Sequence, residues 1–139
     1  MKVIGLDGKN YLLNPEKDSL DIDEENKSSL HVKAYSVIKK SFPYAKIFEE
    51  VILAGCRGIG GRLLRSDFMI PSMKIIIEVH GQQHYIQSDH FHKAESDFKK
   101  CQSNDQIKKE WAELNGFTFI ELPYNEIKEW RKIINEHIS

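Results

Sequence analysis

The stretch LLRSDFMIPSMKIIIEVHGQQHY, residues 63–85, constrains the fold more than any other part of the chain. Apolar and β-branched residues dominate Leu63 to Ile70 and Ile75 to His80, which predicts two strands. Pro71 and Ser72 lie between these segments and are typical turn residues. The stretch therefore predicts a β-hairpin, around which the rest of the domain has to pack.

The second predicted strand carries polar side chains on one face only. Side chains alternate between the two faces of a strand, so Ile76, Glu78 and His80 point to the same side. A four-residue turn between the strands would place Asp67 directly opposite Glu78, with Cβ atoms roughly 5 Å apart. The hairpin thus brings two carboxylates and an imidazole to one strand end.

Two carboxylates at that distance repel each other, and the repulsion raises a pKa. A divalent cation between Asp67 and Glu78 removes this cost, and hard oxygen ligands suit Mg²⁺. We therefore predict a metal site at the strand end. The alternative is a half-buried hairpin that simply has one polar face.

These residues also resemble a known nuclease signature. Asp67, ten further residues and then Glu78-Val79-His80 are similar to the PD-(D/E)XK motif. The segment VHGQQHY, residues 79–85, resembles the very-short-patch-repair branch and its related phage homing endonucleases, of the EDxHD type. The resemblance covers roughly Ser28 to Ile134.

Three positions depart from that family pattern. Ser66 stands where the motif name has proline, and His80 stands where the superfamily has lysine, as it does in the short-patch branch. The branch carries a glutamate on its first helix, where this chain has His31. The resemblance implies that the His31 side chain reaches the metal site; the alternative is a surface or interfacial histidine.

The resemblance implies a Mg-dependent endodeoxyribonuclease that hydrolyses phosphodiester bonds, as the catalytic domain of a phage-type homing endonuclease. The alternatives are a mismatch-repair-type nickase and a non-cleaving nucleic-acid-binding module of the same fold. Asp67, Glu78 and the carbonyl of Val79 would hold Mg²⁺, for which Mn²⁺ substitutes. Histidine titrates near neutral pH, so His80 or His84 is a candidate general base. In the family, the counterpart of His80 serves the water and that of His84 the phosphate.

Additional polar residues are candidates for contacts with water or DNA. Gln83 is a candidate for orienting water or a phosphate. The glycine-rich segment 55–61 is flanked by Arg57, Arg62 and Arg65, which suits a phosphate backbone. The alternative is an ordinary hairpin loop with solubilising charge.

A helix predicted from Ser103 to Asn115 has Lys108 and Lys109 on its polar side and Lys100 just before it. Lys100 and Lys109 are candidate phosphate contacts, although a solvated face is the simpler interpretation. Ser103 begins a capping-box pattern, and Gly116 is a typical helix stop.

The remaining segments complete an α/β pattern. The predicted elements are a hairpin over 1–13 around Asp7-Gly8, an acidic linker over 14–27, a helix over 28–42, a strand over 45–54, a strand over 117–122 and a last helix capped by Asn125. The predicted fold is a mixed central sheet flanked by helices, in the restriction-endonuclease-like (Vsr-like) order α-β-β-β-α-β-α. We predict one globular domain, with residues 1–27 as N-terminal hairpin and linker and 28–139 as nuclease domain.

Composition bounds the partners. The net charge is −1; residues 1–30 carry seven acids and four bases, so a DNA face has to be a local patch. No signal peptide or membrane-length apolar run is visible, which predicts a cytoplasmic protein of a bacterial or phage-infected cell. Double-stranded DNA is the expected partner, with a homodimer or a separate recognition domain outside this chain as further expectations.

Overall fold

The computed structural model describes residues 1–19, 28–80 and 95–138, and for residues 95–102 it describes the backbone alone. The helices and strands are β1 (Lys2–Ile4), β2 (Asn10–Leu12), α1 (Pro15–Asp18), α2 (Ser29–Ser41), β3 (Phe48–Arg57), β4 (Leu63–Ile70), β5 (Ile75–His80), α3 (Glu95–Leu114), β6 (Thr118–Pro123) and α4 (Trp130–Ile138). From α2 onward their order is the predicted α-β-β-β-α-β-α.

The central sheet is mixed and has the strand order β3-β4-β5-β6. The first three strands are antiparallel neighbours, whereas β6 runs parallel to β5. A parallel neighbour requires a long crossover, and α3 lies in that connection. The predicted α/β class with a mixed sheet flanked by helices is confirmed.

The predicted hairpin is confirmed at both of its strands. Ile70 pairs with Ile75 and Phe68 with Ile77, so four residues connect the strands. Three of them form a 3-10 turn that begins at Pro71. Lys74 ends the turn with a left-handed φ of 51°. This register is the one that sets Asp67 against Glu78.

Two hydrophobic clusters cover the two faces of the sheet. One contains Phe68 and Ile77 and packs against α2 and α4, where Trp130 is fully buried. The other contains Ile76 and packs against α3, where Trp111 is fully buried. Both tryptophans are core residues. The face of the sheet that carries Ile76 also carries Glu78.

The predicted helix α2 is confirmed, whereas for α3 the predicted end is confirmed and the predicted start is not. Ser28 caps α2 by accepting a hydrogen bond from the His31 N–H at 3.1 Å. Helix α3 already runs from residue 95, so the predicted start at Ser103 is wrong and that residue lies inside the helix. A capping box only signals a helix start when the preceding residues are not helical themselves. Gly116 follows the helix with φ of +74°, as a C-terminal stop requires.

Strand β3 begins later than predicted and extends into the first residues of the glycine-rich segment. It starts at Phe48 and ends at Arg57, so the loop predicted over 55–61 is wrong in its first half. Gly55 has φ of +75° and its carbonyl accepts a hydrogen bond from the Leu6 N–H at 3.0 Å. The N-terminal hairpin therefore lies against the strand at a point where a side chain has no room.

Two further boundaries differ from the predictions. Asn14 caps a short helix at Pro15–Asp18 inside the expected linker; residues 20–27 of that linker lie outside the described residues. Before α4 the chain makes a 3-10 turn at Ile127–Glu129, so Asn125 does not cap the last helix. Such short turns follow from local backbone hydrogen bonds that apolar periodicity does not reveal.

Candidate functional site

Asp67 and Glu78 are joined by reciprocal contacts across β4 and β5. The backbone N–H of Asp67 donates to Oε2 of Glu78 at 2.5 Å, and the backbone N–H of Val79 donates to Oδ2 of Asp67 at 2.8 Å. Each carboxylate thus binds the backbone of the opposite strand. The predicted juxtaposition is confirmed, and both side chains lie on the α3 side of the sheet.

A lysine on α3 completes this pair. The Lys108 ammonium contacts Oε1 of Glu78, and the two side chains are only 15% and 3% exposed. The expectation that Lys108 lies on a solvated face is wrong. The inward face of the helix carries Trp111 and Ala112, while Leu114 is half exposed. Lys108 precedes Trp111 by one turn, a spacing that could have identified it as inward-facing.

Burial and charge act in opposite ways on the two partners. Burial raises the pKa of Glu78 to about 8, the negative charge of Asp67 acts in the same direction, and Lys108 opposes both. For Lys108, burial lowers the pKa, but the charge of Glu78, their hydrogen bond and the charges of Asp67 and Asp105 outweigh it and leave the pKa raised. Several carboxylates therefore favour the charged form of Lys108, whereas burial and the neighbouring charge of Asp67 disfavour the charged form of Glu78.

His80 ends β5 on the same face and lies between two acidic side chains. Its Nε2 is 3.9 Å from Oδ2 of Asp105 on α3, and its Nδ1 is 3.9 Å from Oε2 of Glu121 on β6. The His80 side chain is 8% exposed. The carboxylates of Asp105 and Glu121 can stabilise positive charge on the ring. Neither residue was identified from the sequence, because their proximity depends on the packing of α3 over β6.

A cleft beside the pair opens at the strand ends. It is lined by Glu50, Arg62, Leu63, Leu64, Arg65, Asp67, Asn104, Asp105 and Lys108. Arg62 and Arg65 therefore line the same cleft as Asp67, and both are exposed. Asn104 accepts a hydrogen bond from the Ile59 N–H at 3.1 Å and so fixes the β3–β4 turn against α3.

Glu50 is the third carboxylate of this cleft. Its backbone has a positive φ of 51°, and Phe48 and Val51, three residues apart, both pack in the cluster under α3. Burial raises the pKa of Glu50, and Asp67 adds to the rise. The structure thus brings the Glu50 side chain into the cleft.

His31 lies in a different environment from Asp67 and Glu78. It is buried, its Nε2 lies 2.8 Å from Oε1 of Glu49, and its ring stacks on Phe68 with 4.5 Å between centroids. Phe68 belongs to the cluster on the α2 side of the sheet. His31 is thus an interfacial histidine in its contacts, on the opposite face from Glu78.

The other candidate DNA contacts do not lie together in the cleft. Arg57 donates to the Gly61 carbonyl at 2.8 Å and closes the β3–β4 turn. Lys109 forms an ion pair with Glu121 and does not line the cleft of Arg62 and Arg65. The side chain of Lys100 lies outside the described part of the chain, as do Gln83 and His84.

The side chains around Asp67 and Glu78 decide whether a metal ion can bind there. Among the side chains that the structure describes, no three from His, Cys, Asp and Glu are grouped closely enough to hold a metal ion. Asp67 and Glu78 nevertheless supply hard oxygen donors whose mutual repulsion a cation would relieve. Two carboxylates alone do not complete the coordination of a divalent cation, so any ion there would also need oxygens from the backbone, water or substrate.

Comparisons with known proteins give viral relatives. "Uncharacterized protein 307L" of Invertebrate iridescent virus 6 is 38% identical over 61 residues, which are 44% of this chain and 31% of that protein. "Uncharacterized protein 033L" of Invertebrate iridescent virus 3 is 33% identical over 66 residues, 48% of this chain and 34% of that protein. The match spans about a third of each relative. No family model and no solved structure matches the chain.

The described helices also bear on membrane association. None of the helices within the described residues is both long and apolar enough to cross a bilayer.

Proposed function

We propose that the chain is a metal-dependent DNA endonuclease domain that hydrolyses phosphodiester bonds, with a PD-(D/E)XK-type site of the Vsr-like branch. The observation that carries the proposal is the reciprocal contact of Asp67 and Glu78 on one face of β4 and β5. A purely structural hairpin gains little from placing a half-buried carboxylate beside a fully buried one, since burial removes the water that would screen their repulsion. Function is the simpler reason for their presence.

Asp67 and Glu78, with the carbonyl of Val79, would hold Mg²⁺ or Mn²⁺. When bound, the ion supplies positive charge beside the scissile phosphate and acidifies a neighbouring water. Glu78 is buried, which strengthens electrostatic interactions at its carboxylate.

His80 is the proposed proton acceptor for the attacking water. Its ring lies on the same face as the carboxylate pair, 3.9 Å from Asp105 and 3.9 Å from Glu121. These acids favour the protonated ring that forms when His80 accepts a proton. His84 and Gln83 keep their proposed roles at the phosphate and water, by resemblance alone.

Double-stranded DNA is the proposed partner, and Arg62 and Arg65 are the proposed phosphate contacts. Both are exposed and line the cleft that also contains Asp67. Phosphate contacts position a nucleic acid without reading its sequence. Target choice would then require a second copy or another recognition domain.

A plasmid-nicking assay tests the activity. We expect the wild type to nick supercoiled DNA with Mg²⁺ or Mn²⁺, and to stop when EDTA removes the ion. Asp67→Asn should be inactive, while the control Glu16→Gln, an exposed carboxylate paired with Lys46, should cleave normally. Cleavage by Asp67→Asn at the wild-type rate would overturn the proposal.

The ion pair of Lys108 with Glu78 favours a second candidate, a nucleic-acid-binding module that does not cleave. In that case Lys108 neutralises Glu78 permanently and no ion is needed. DNA binding that is unaffected by EDTA, without nicking under any ion, would favour this candidate over the endonuclease.

A further inference from the structure

Lys108 already occupies the side of Glu78 that a metal ion would need. The Lys108 ammonium contacts Oε1 of Glu78, and Oε2 accepts the Asp67 N–H. Both oxygens of this carboxylate are therefore engaged by the chain itself. A divalent cation that binds Glu78 must share or take the oxygen that Lys108 contacts.

Sharing that oxygen is electrostatically unfavourable. The Lys108 side chain is 15% exposed, so little water screens its charge from a second cation at Glu78. Like charges a few ångströms apart repel strongly when they are partly removed from water. The ammonium and the divalent cation would consequently compete for the carboxylate.

The Lys108 ammonium can also turn into the neighbouring cleft, away from Glu78. Lys108 lines it together with Arg62, Arg65 and Asp67. A lysine side chain has a flexible four-carbon stem and three donors, so it can turn toward a neighbouring anion without moving α3. A phosphate held by the two arginines is such an anion.

We infer that Lys108 is an internal counter-ion that competes with the divalent cation at Glu78 and moves toward a phosphate in the cleft when the cation binds. This inference rests on the proposed function, because it assumes a cation site at Asp67 and Glu78. Lys108 is then a positioning residue that links cation binding to binding of a nucleic-acid phosphate.

The test is the affinity for Mn²⁺, measured on the full chain without DNA from the electron paramagnetic resonance signal of the free ion. Lys108→Gln keeps a donor for Glu78 but removes the charge. We expect it to bind Mn²⁺ more tightly than the wild type, by roughly tenfold or more. Lys46→Gln, which removes an exposed lysine paired with Glu16, should bind like the wild type.

The outcomes separate the inference from the function. Mn²⁺ binding by the wild type with equal or weaker binding by Lys108→Gln overturns the inference and leaves the proposed function standing. No Mn²⁺ binding by any of the three proteins overturns the proposed metal site and the inference with it. Tighter binding by Lys108→Gln supports the inference, including when the wild type itself binds too weakly to detect.

A second measurement on the wild type covers the case in which Lys108→Gln does not fold. The side-chain ammonium of Lys108 is followed by ¹⁵N NMR during a titration with Mg²⁺, after assignment through its own side-chain resonances. We expect its signal to shift in step with the Asp67 amide. An unchanged Lys108 signal while the Asp67 amide shifts would overturn the inference.

Discussion

Oε2 of Glu78 accepts the backbone N–H of Asp67 at 2.5 Å, so one carboxylate satisfies a donor of the neighbouring strand. Its other oxygen contacts the Lys108 ammonium. Glu78 therefore connects β4, β5 and α3 through a single buried side chain, and its removal should affect the fold as well as any activity.

Glu78→Ala should lower the free energy of unfolding by about 3–5 kcal/mol, because it leaves Lys108 buried without its partner. Glu78→Gln retains an acceptor and should lose less. Urea denaturation measures both variants. Glu16→Ala is the control: Glu16 and Lys46 are 69% and 70% exposed, so stability should not change measurably. A similar small effect for Glu78→Ala would contradict the central role of this side chain.

The pH dependence of stability follows from the raised pKa of Glu78. Burial and the charge of Asp67 raise the pKa of Glu78 to about 8 in the folded protein, above its ordinary value of 4.5. Between these values the folded state binds more protons, so this group makes the free energy of unfolding fall as pH rises. Urea titrations in EDTA should show this fall in the wild type and a flatter profile in Glu78→Gln. If the free energy of unfolding fell equally with pH in both proteins, Glu78 would not be the group responsible.

His80→Ala should reduce plasmid nicking by roughly 10²–10⁴-fold, the usual contribution of a positioned general base. The fold should persist, as checked by circular dichroism, and DNA binding should be retained. His137→Ala is the control, since His137 is exposed on α4 and its Nδ1 lies 2.8 Å from the Ile133 carbonyl. Near-normal cleavage by His80→Ala would remove this residue from the mechanism.

Replacing Arg62 and Arg65 together by Gln should weaken DNA binding uniformly across sequences. The slope of log affinity against log salt should become shallower by about 0.9 for each phosphate that the protein no longer neutralises. Fluorescence anisotropy at several salt concentrations measures this slope. Arg131→Gln, an exposed arginine on α4, is the matched control and should keep the wild-type slope. An unaltered slope in the double variant would place the DNA elsewhere.

Gly55→Ala should destabilise the fold more than Gly8→Ala. Both glycines have a positive φ, +75° and +81°, so both variants carry the same kind of backbone strain. A Cβ at Gly55 would lie 2.5 Å from the Cα of Gly5, whereas a Cβ at Gly8 meets nothing within 4 Å. The difference should be about 1–3 kcal/mol by urea denaturation, typical of overpacking. Equal losses would show that the N-terminal hairpin yields at this contact.

The hairpin at the centre of the chain was predictable because its signals are local. The apolar run at residues 75–77 and the turn residues from Pro71 mark the second strand and the turn, and the four-residue connection sets the register. That register brings Asp67 to Glu78 without any contribution from distant segments. Ser28 and Gly116 marked helix ends for the same reason, since capping depends on neighbouring residues only.

Tertiary structure decided the environment of that pair. Lys108 faces inward because Trp111 orients α3 against the sheet, and Glu50 lines the same cleft from β3. Asp105 lies near His80 because the same helix crosses β5 and β6. These contacts join residues far apart in the chain, and their energies depend on burial and neighbouring charge. The sequence by itself therefore determined the two carboxylates and their strand pairing. Only the packed fold placed the Lys108 ammonium beside them.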